Sequence, residues 1–301
     1  MNILQLSYAR HEWLVAPARA QSELWRLVLG LALGAFVMTG LNILFLTGVE
    51  TAMPPEKMGD FLEGMQTATT PLTALVSLAS FGFMTAGVCA AAFVMHGRAP
   101  SGLIGPWRIA HADFWAVLKA LVILNAVILI LPPWGMDQPF VPNLPVGTWV
   151  ALLPLSLAVV LIQTSAEEIL FRGYVQQQLA ARFKNPLIWM VLPSALFGLA
   201  HYVPAETGAN AGLIALWAAC FGLLMADLTA RSGTLGPAIA VHFVTNVSAL
   251  LFTSLPDTLS GLSLYTVPFS MADEAALRVW LPVDFAIMIV SWLAARLALR
   301  R

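Results

Sequence analysis

Residues 146–172 read VGTWVALLPLSLAVVLIQTSAEEILFR. From Val146 to Ala166 the run carries no charge, and it then meets Glu167, Glu168 and Arg172. A helix needs roughly 20 mostly apolar residues to cross a bilayer, so this stretch reads as a membrane span that ends in charged groups. The rest of the chain agrees. It has 301 residues, 59% of them hydrophobic and 10% charged. A soluble domain averages about 45–50% apolar and about 25% charged, and a soluble fold this apolar would expose large greasy patches. The expected fold is therefore all-α, a polytopic membrane bundle of about eight transmembrane helices.

Eight apolar stretches carry that expectation: 27–48, 72–95, 114–131, 147–171, 187–203, 211–231, 234–255 and 277–296. They form one helical domain over 27–301, with no internal repeat. Lysine and arginine set the orientation. Arg10, Arg19, Arg26, Arg98, Arg108, Arg182, Lys184, Arg231, Arg296, Arg300 and Arg301 fall at one set of helix ends. The alternate loops are acidic, with Glu50, Glu56, Asp60, Glu63, Asp137, Glu206, Asp257, Asp273 and Glu274; Lys57 is the basic exception. Eight spans with both termini cytoplasmic fit this alternation. Residues 1–26 lack the compact apolar core and cleavage site of a signal peptide; they read either as an amphipathic helix on the membrane surface or as a cytosolic tail. A net charge of −1 gives no reason to expect nucleic acid. Cys89 and Cys220 lie in apolar runs as packing residues.

An ionisable group inside a membrane is costly and usually has a partner or a task. Such groups gather in one half of the chain: Glu167, Glu168, Arg172, His201, Asp227, Arg231, His242 and Asp284. His11, His96 and His111 fall in tails or loops, where histidine needs no special account. Residues four apart share a helix face. Glu168 therefore pairs with Arg172, leaving Glu167 without a cation at helical spacing. Phe197 shares a face with His201, and His242 with Asn246. Glu167 and His201 are equidistant from Lys184, so a hairpin turning there sets them at one height. For His242 to join them, the tip at 173–186 must project beyond the membrane boundary. Its Gln176, Gln177, Gln178, Arg182, Lys184 and Asn185 are polar enough for that. The small residues Ser194, Ala195, Gly198, Ala200, Gly236, Ala238 and Ala240 would let these helices approach closely.

Glu167-Glu168-x-x-x-Arg172, Phe197-x-x-x-His201 and His242-x-x-x-Asn246 together resemble the three motifs of the CPBP family. These are the CAAX-type proteases and bacteriocin-processing (Abi) intramembrane peptidases, which include the Ras-converting endopeptidases. The resemblance covers roughly 147–255. It implies an endopeptidase acting on a membrane-associated protein or peptide, lipidated or CAAX-like, with the lipid bilayer as its surroundings. It implies Glu167 as the base that activates water and His201 as an assistant to that water. His242 and Asn246 would stabilise the oxyanion, with Glu168, Arg172 and Phe197 in support. Glu167, His201 and His242 are also the ligand types of a catalytic zinc site. The His-Glu-x-x-His signature is absent, and were zinc to take all three, only Glu168 would be left as a base. No metal is expected, with zinc on those three as the alternative. The expected location is a bacterial cytoplasmic membrane. Two rival functions stay open: a non-catalytic scaffold for a partner membrane protein, and a proton-coupled transporter, which Asp284 beside Pro282 would suit.

Overall fold

The computed structural model describes residues 7–131, 139–271 and 273–300. Residues 1–6, residues 132–138 with Asp137, Ala272 and Arg301 lie outside the described residues. The architecture is an all-α polytopic bundle. Helix α1 (Leu24–Ala52) has 29 residues, about 44 Å at 1.5 Å per residue, and so exceeds the roughly 30 Å of a bilayer core. A short helix α2 (Pro55–Thr67) follows. Helix α3 (Pro71–His96) opens with a reciprocal cap between Thr70 and Thr73 and closes on Gly97. Helix α4 (Trp107–Ile130) begins seven residues before the apolar stretch. Helix α5 (Val146–Glu168) passes without a break through a π-helical segment, Ile169–Gln176, to Arg182. After it come α6 (Leu192–Ala200), α7 (Ala211–Ser232), α8 (Gly236–Val247) and α9 (Glu274–Leu299).

Among the described residues six helices are long and apolar enough to span a membrane. The two segments that carry His201 and His242 are shorter apolar helices, Leu187–Ala200 and Gly236–Phe252. The first stops because His201 leaves helical geometry at its C-cap, with Pro204 starting a new turn. The second ends where Thr253 becomes extended and pairs in a small sheet. That sheet has the order β1 (Val141–Pro142), β3 (Tyr265–Thr266), β2 (Thr253–Ser254). Outward-facing Phe36, Leu129, Val279 and Leu297 are each more than 70% exposed. Only lipid accommodates such a surface, so the chain is an integral membrane protein.

Helix α3 packs between α1 and α5, while α4 packs on α8 and α9, and α7 on α6, α8 and α9. The apolar cluster nearest the motifs joins Val117, Phe197, Phe221, Met225, Val241 and Met288.

The structure corrects four expectations. Gln176, Gln177 and Gln178 at the hairpin tip are buried, not solvated. Gln177 donates to the Leu103 carbonyl at 2.8 Å and accepts from Arg98 at 2.6 Å, so the tip docks on the loop after α3. Residues 7–21 are not a free tail; their short helical turns pack on the bundle with Leu14, Ala18 and His11 buried. His11 and His96 are therefore interior residues, His96 meeting the Tyr174 hydroxyl at 2.8 Å. Lys119 in the middle of α4 is exposed on the outer face, so intramembrane charge is not confined to the second half.

Candidate active site

The second half of α5 brings Gln163 and Glu167 to one face, four residues apart, and ends on Glu168. The π-helical segment that follows carries Arg172. Single π turns inside α-helices occur often at functional sites. Arg172 Nη1 donates to Glu168 Oε1 at 3.0 Å, with the two side chains 1% and 0% exposed. The expected pair along the helix is thus formed and fully sealed.

Glu168 has a second task that its spacing to Arg172 does not reveal. The same Oε1 accepts a hydrogen bond from His242 Nδ1 at 2.8 Å. A carboxylate that accepts on that side puts the ring's proton on Nδ1. The other imidazole nitrogen, Nε2, lies 3.3 Å from Glu167 Oε2. His242 is therefore caught between two neighbouring carboxylates, one backed by arginine and one not. Glu167 keeps 14% side-chain exposure against 0% for Glu168. Of the two it is the one a water can reach.

Aromatic rings wall the site. Phe197 lies with its ring centroid 4.9 Å from the Arg172 guanidinium. It touches the His201 ring at 4.6 Å and the His242 ring edge-on at 6.1 Å. Phe221 packs on His242 at 5.0 Å, and Trp217 stacks behind it at 5.5 Å. A guanidinium over an aromatic face gains from cation–π attraction when desolvated. His201 joins the cluster through this wall. Its Nδ1 meets the Phe197 carbonyl at 2.8 Å, which orients the ring and leaves Nε2 for other work.

Backbone approach explains how the helices come this close. A Cβ on Gly198 would lie 2.8 Å from the Ala219 Cβ, so only glycine lets α6 press on α7 there. A side chain on Gly236 would run into the Ala110 backbone of α4, so α8 depends on that glycine for its depth. The turn before α8 is set by Gly233, in the left-handed conformation with φ 72°, a geometry glycine adopts without penalty.

Glu167, Glu168, Arg172 and His242 are in direct contact, His201 joins them through Phe197, and Asn246 sits one turn beyond His242 on α8. Asn246 Nδ2 donates to Gln163 Oε1 at 2.7 Å. Gln163 is the one polar partner the motif spacing misses. It is 5% exposed inside an apolar run and one turn before Glu167; a buried amide at that spacing is the signal that could have found it. Asp284 lies on α9, is exposed, and belongs to no part of this network. Asp227 and Arg231 form a separate pair at 2.8 Å.

A catalytic zinc takes three protein ligands. Among the described residues no three His, Cys, Asp or Glu side chains gather with metal-ligand spacing. Glu167 and His242 meet, but the set Glu167, His201 and His242 does not close around one point.

Comparison with known proteins places this site in context. Residues 149–248 match the family described as Type II CAAX prenyl endopeptidase Rce1-like. The match contains Gln163, Glu167, Glu168, Arg172, His201, His242 and Asn246, and it bears out the family resemblance for that third of the chain. An uncharacterized protein of Bacillus subtilis (strain 168), YyaK, is 25% identical over 263 residues, covering 84% of this chain and 86% of YyaK. No solved structure matches. The family supports a CAAX-type protease, an intramembrane endopeptidase in general.

Proposed function

We propose that the chain hydrolyses a peptide bond of a membrane-associated protein or peptide, lipidated or CAAX-like, with a water activated by Glu167 and without a metal. The observation that carries this reading is the unequal pair of carboxylates on His242. Glu168 is neutralised by Arg172 and fixes the imidazole. Glu167 forms no ion pair with an arginine among the described residues, meets the other nitrogen at 3.3 Å and retains some access. A base must be able to take a proton and pass it on, and the short gap to Nε2 gives Glu167 a neighbour for that exchange.

The chemical roles follow from this geometry. Glu167 draws the proton from a water that attacks the scissile carbonyl. The developing oxyanion is met by fixed donors, the remaining N–H of Asn246 and, once it carries the proton, His242 Nε2. Such donors act strongly in a dry, low-dielectric wall like that of Phe197, Phe221 and Trp217. His201, oriented through Nδ1, presents Nε2 as an acceptor to the attacking water, and the proton that Glu167 takes from that water passes, by way of His242 Nε2, to the amine nitrogen as the C–N bond breaks. The chain works from a bacterial cytoplasmic membrane with both termini on the cytoplasmic side, an arrangement supported by the distribution of lysine and arginine.

The test is cleavage of a panel of lipidated, membrane-anchored peptides in vesicles, read by mass spectrometry, for the native chain and for Glu167→Gln. The variant keeps the shape and removes the base. Its rate should fall about 10²- to 10⁴-fold with an unchanged melting temperature. Equal cleavage by the two proteins would remove Glu167 as the base, and no cleavage by the native chain would leave the scaffold reading in its place.

A further inference from the structure

We infer that Gln163 is a positioning residue for the reaction, holding the Asn246 amide so that an N–H, not the carbonyl, faces the scissile bond. This inference rests on the hydrolase reading above. The contact itself is direct: Asn246 Nδ2 to Gln163 Oε1, 2.7 Å, between residues 83 apart in sequence. Gln163 is 5% exposed and sits in a helix whose neighbouring side chains, Leu161, Ile162 and Thr164, are apolar or locally bonded. A buried amide in such a run is costly unless both of its ends have work to do.

A side-chain amide has one acceptor end and one donor end, and two amides can meet either way round. The carboxylate of Glu167 removes this ambiguity. It lies four residues on, along the same face of α5, where side chains of this spacing interact. A negative charge there favours the NH₂ end of Gln163 on its own side. Oε1 is then left for Asn246, and Asn246 must answer with an N–H. One N–H of Asn246 is spent on Gln163. The amide plane is thereby fixed, and the second N–H is the one that meets the oxyanion. Through this chain the charge of the general base dictates the orientation of the oxyanion donor. Glu167 and Asn246 are thus set by one intermediary, on two different helices, without touching each other.

Donors of this kind must be pre-oriented to act, because reorganisation during the reaction forfeits their effect. Loss of Gln163 should therefore lower kcat and leave KM nearly unchanged. Gln163→Met keeps length and volume in an apolar helix and deletes the acceptor. With the same peptide panel, kcat should drop about 10- to 100-fold, with KM within about twofold, against the 10²- to 10³-fold typical of removing an oxyanion donor outright. Asn246→Ala should cost more. In the Asn246→Ala background, Gln163→Met should then cost less than about twofold, because its only route to the reaction is gone. Gln163→Leu serves as the second variant if Met lowers the folded yield. Equal losses in both backgrounds, or a raised KM at unchanged kcat, would overturn the positioning role while leaving Glu167 as the base. A native chain that cleaves none of the peptides would remove the hydrolase reading and this inference together.

Discussion

Among the described residues the molecule forms the same local ion pair twice, an acid bonded to the arginine four residues later, and uses it for different ends. Glu168–Arg172 on α5 is sealed, with side chains 0% and 1% exposed, and its carboxylate reaches across to His242. Asp227–Arg231 on α7 is 10% and 15% exposed, and its carboxylate reaches Tyr8 at 2.8 Å and the Trp292 indole at 3.0 Å. The first pair anchors the His242 imidazole. The second clasps the N-terminal segment and α9 onto the bundle. Helical spacing makes both pairs; what surrounds the carboxylate decides what each pair is for.

The comparison can be broken at its stronger member. Arg172→Ala leaves Glu168 without its cation in an apolar wall, where even now Oε2 has no hydrogen-bond partner among the described residues. Stranding a buried charge costs about 3–5 kcal/mol. The folded yield and the unfolding midpoint in detergent should fall together with activity. Normal yield and normal cleavage would show that the pair is dispensable and that His242 is held by other means.

The weaker member should respond differently. Asp227→Asn keeps the shape but weakens three contacts at a partly exposed site, with an expected loss of about 1–2 kcal/mol. The loss should concentrate in residues 8–21 and α9, read as faster amide exchange there, with cleavage changed by less than about fivefold. A collapse of activity as large as that of Arg172→Ala would mean that the N-terminal segment belongs to the site.

The smallest expected effect sharpens the second region further. His11 is buried against Trp189, with ring centroids 4.7 Å apart. Burial lowers its pKa from 6.5 to about 4, while the nearby Glu12 carboxylate opposes that shift. The neutral form is the one that fits, and the unfolded segment binds the proton more readily. Stability from this group is therefore complete above about pH 6.5 and is lost as pH falls from there towards 4. Amide exchange of residues 8–21 should quicken over that interval in the native chain and be flat in His11→Phe, whose ring also packs on Trp189. An unchanged rate in the native chain would show that the segment is held by its Tyr8 and Leu14 contacts alone.

Much of this was legible in the chain itself. The uncharged run from Val146 to Ala166 fixes a membrane helix, because backbone and side chains must satisfy lipid over its length. The i,i+4 periodicity fixes the Glu168–Arg172 pair and the facing of Phe197 with His201, since both depend only on the geometry of one helix. The three motifs, in order, identify the family over 149–248.

Other features were decided by how the helices turn and dock. His242 meets two carboxylates 74 and 75 residues away, and Asn246 meets Gln163 across 83. No local periodicity sets these, because they depend on the rotation of α8 against α5. Close backbone approach at Gly236 sets the depth of α8 against α4, and at Gly198 that of α6 against α7, contacts that likewise join distant stretches of chain. The three glutamines at 176–178 and the histidines at 11 and 96 look solvent-facing by composition, yet docking surfaces formed from distant residues bury them. Composition and spacing within a helix therefore determined the solvent the protein lives in and its local pairs. Only the packed bundle decided that His242 lies between the two carboxylates and that Glu167 is the one left open to water, because those contacts are made between helices and not along one.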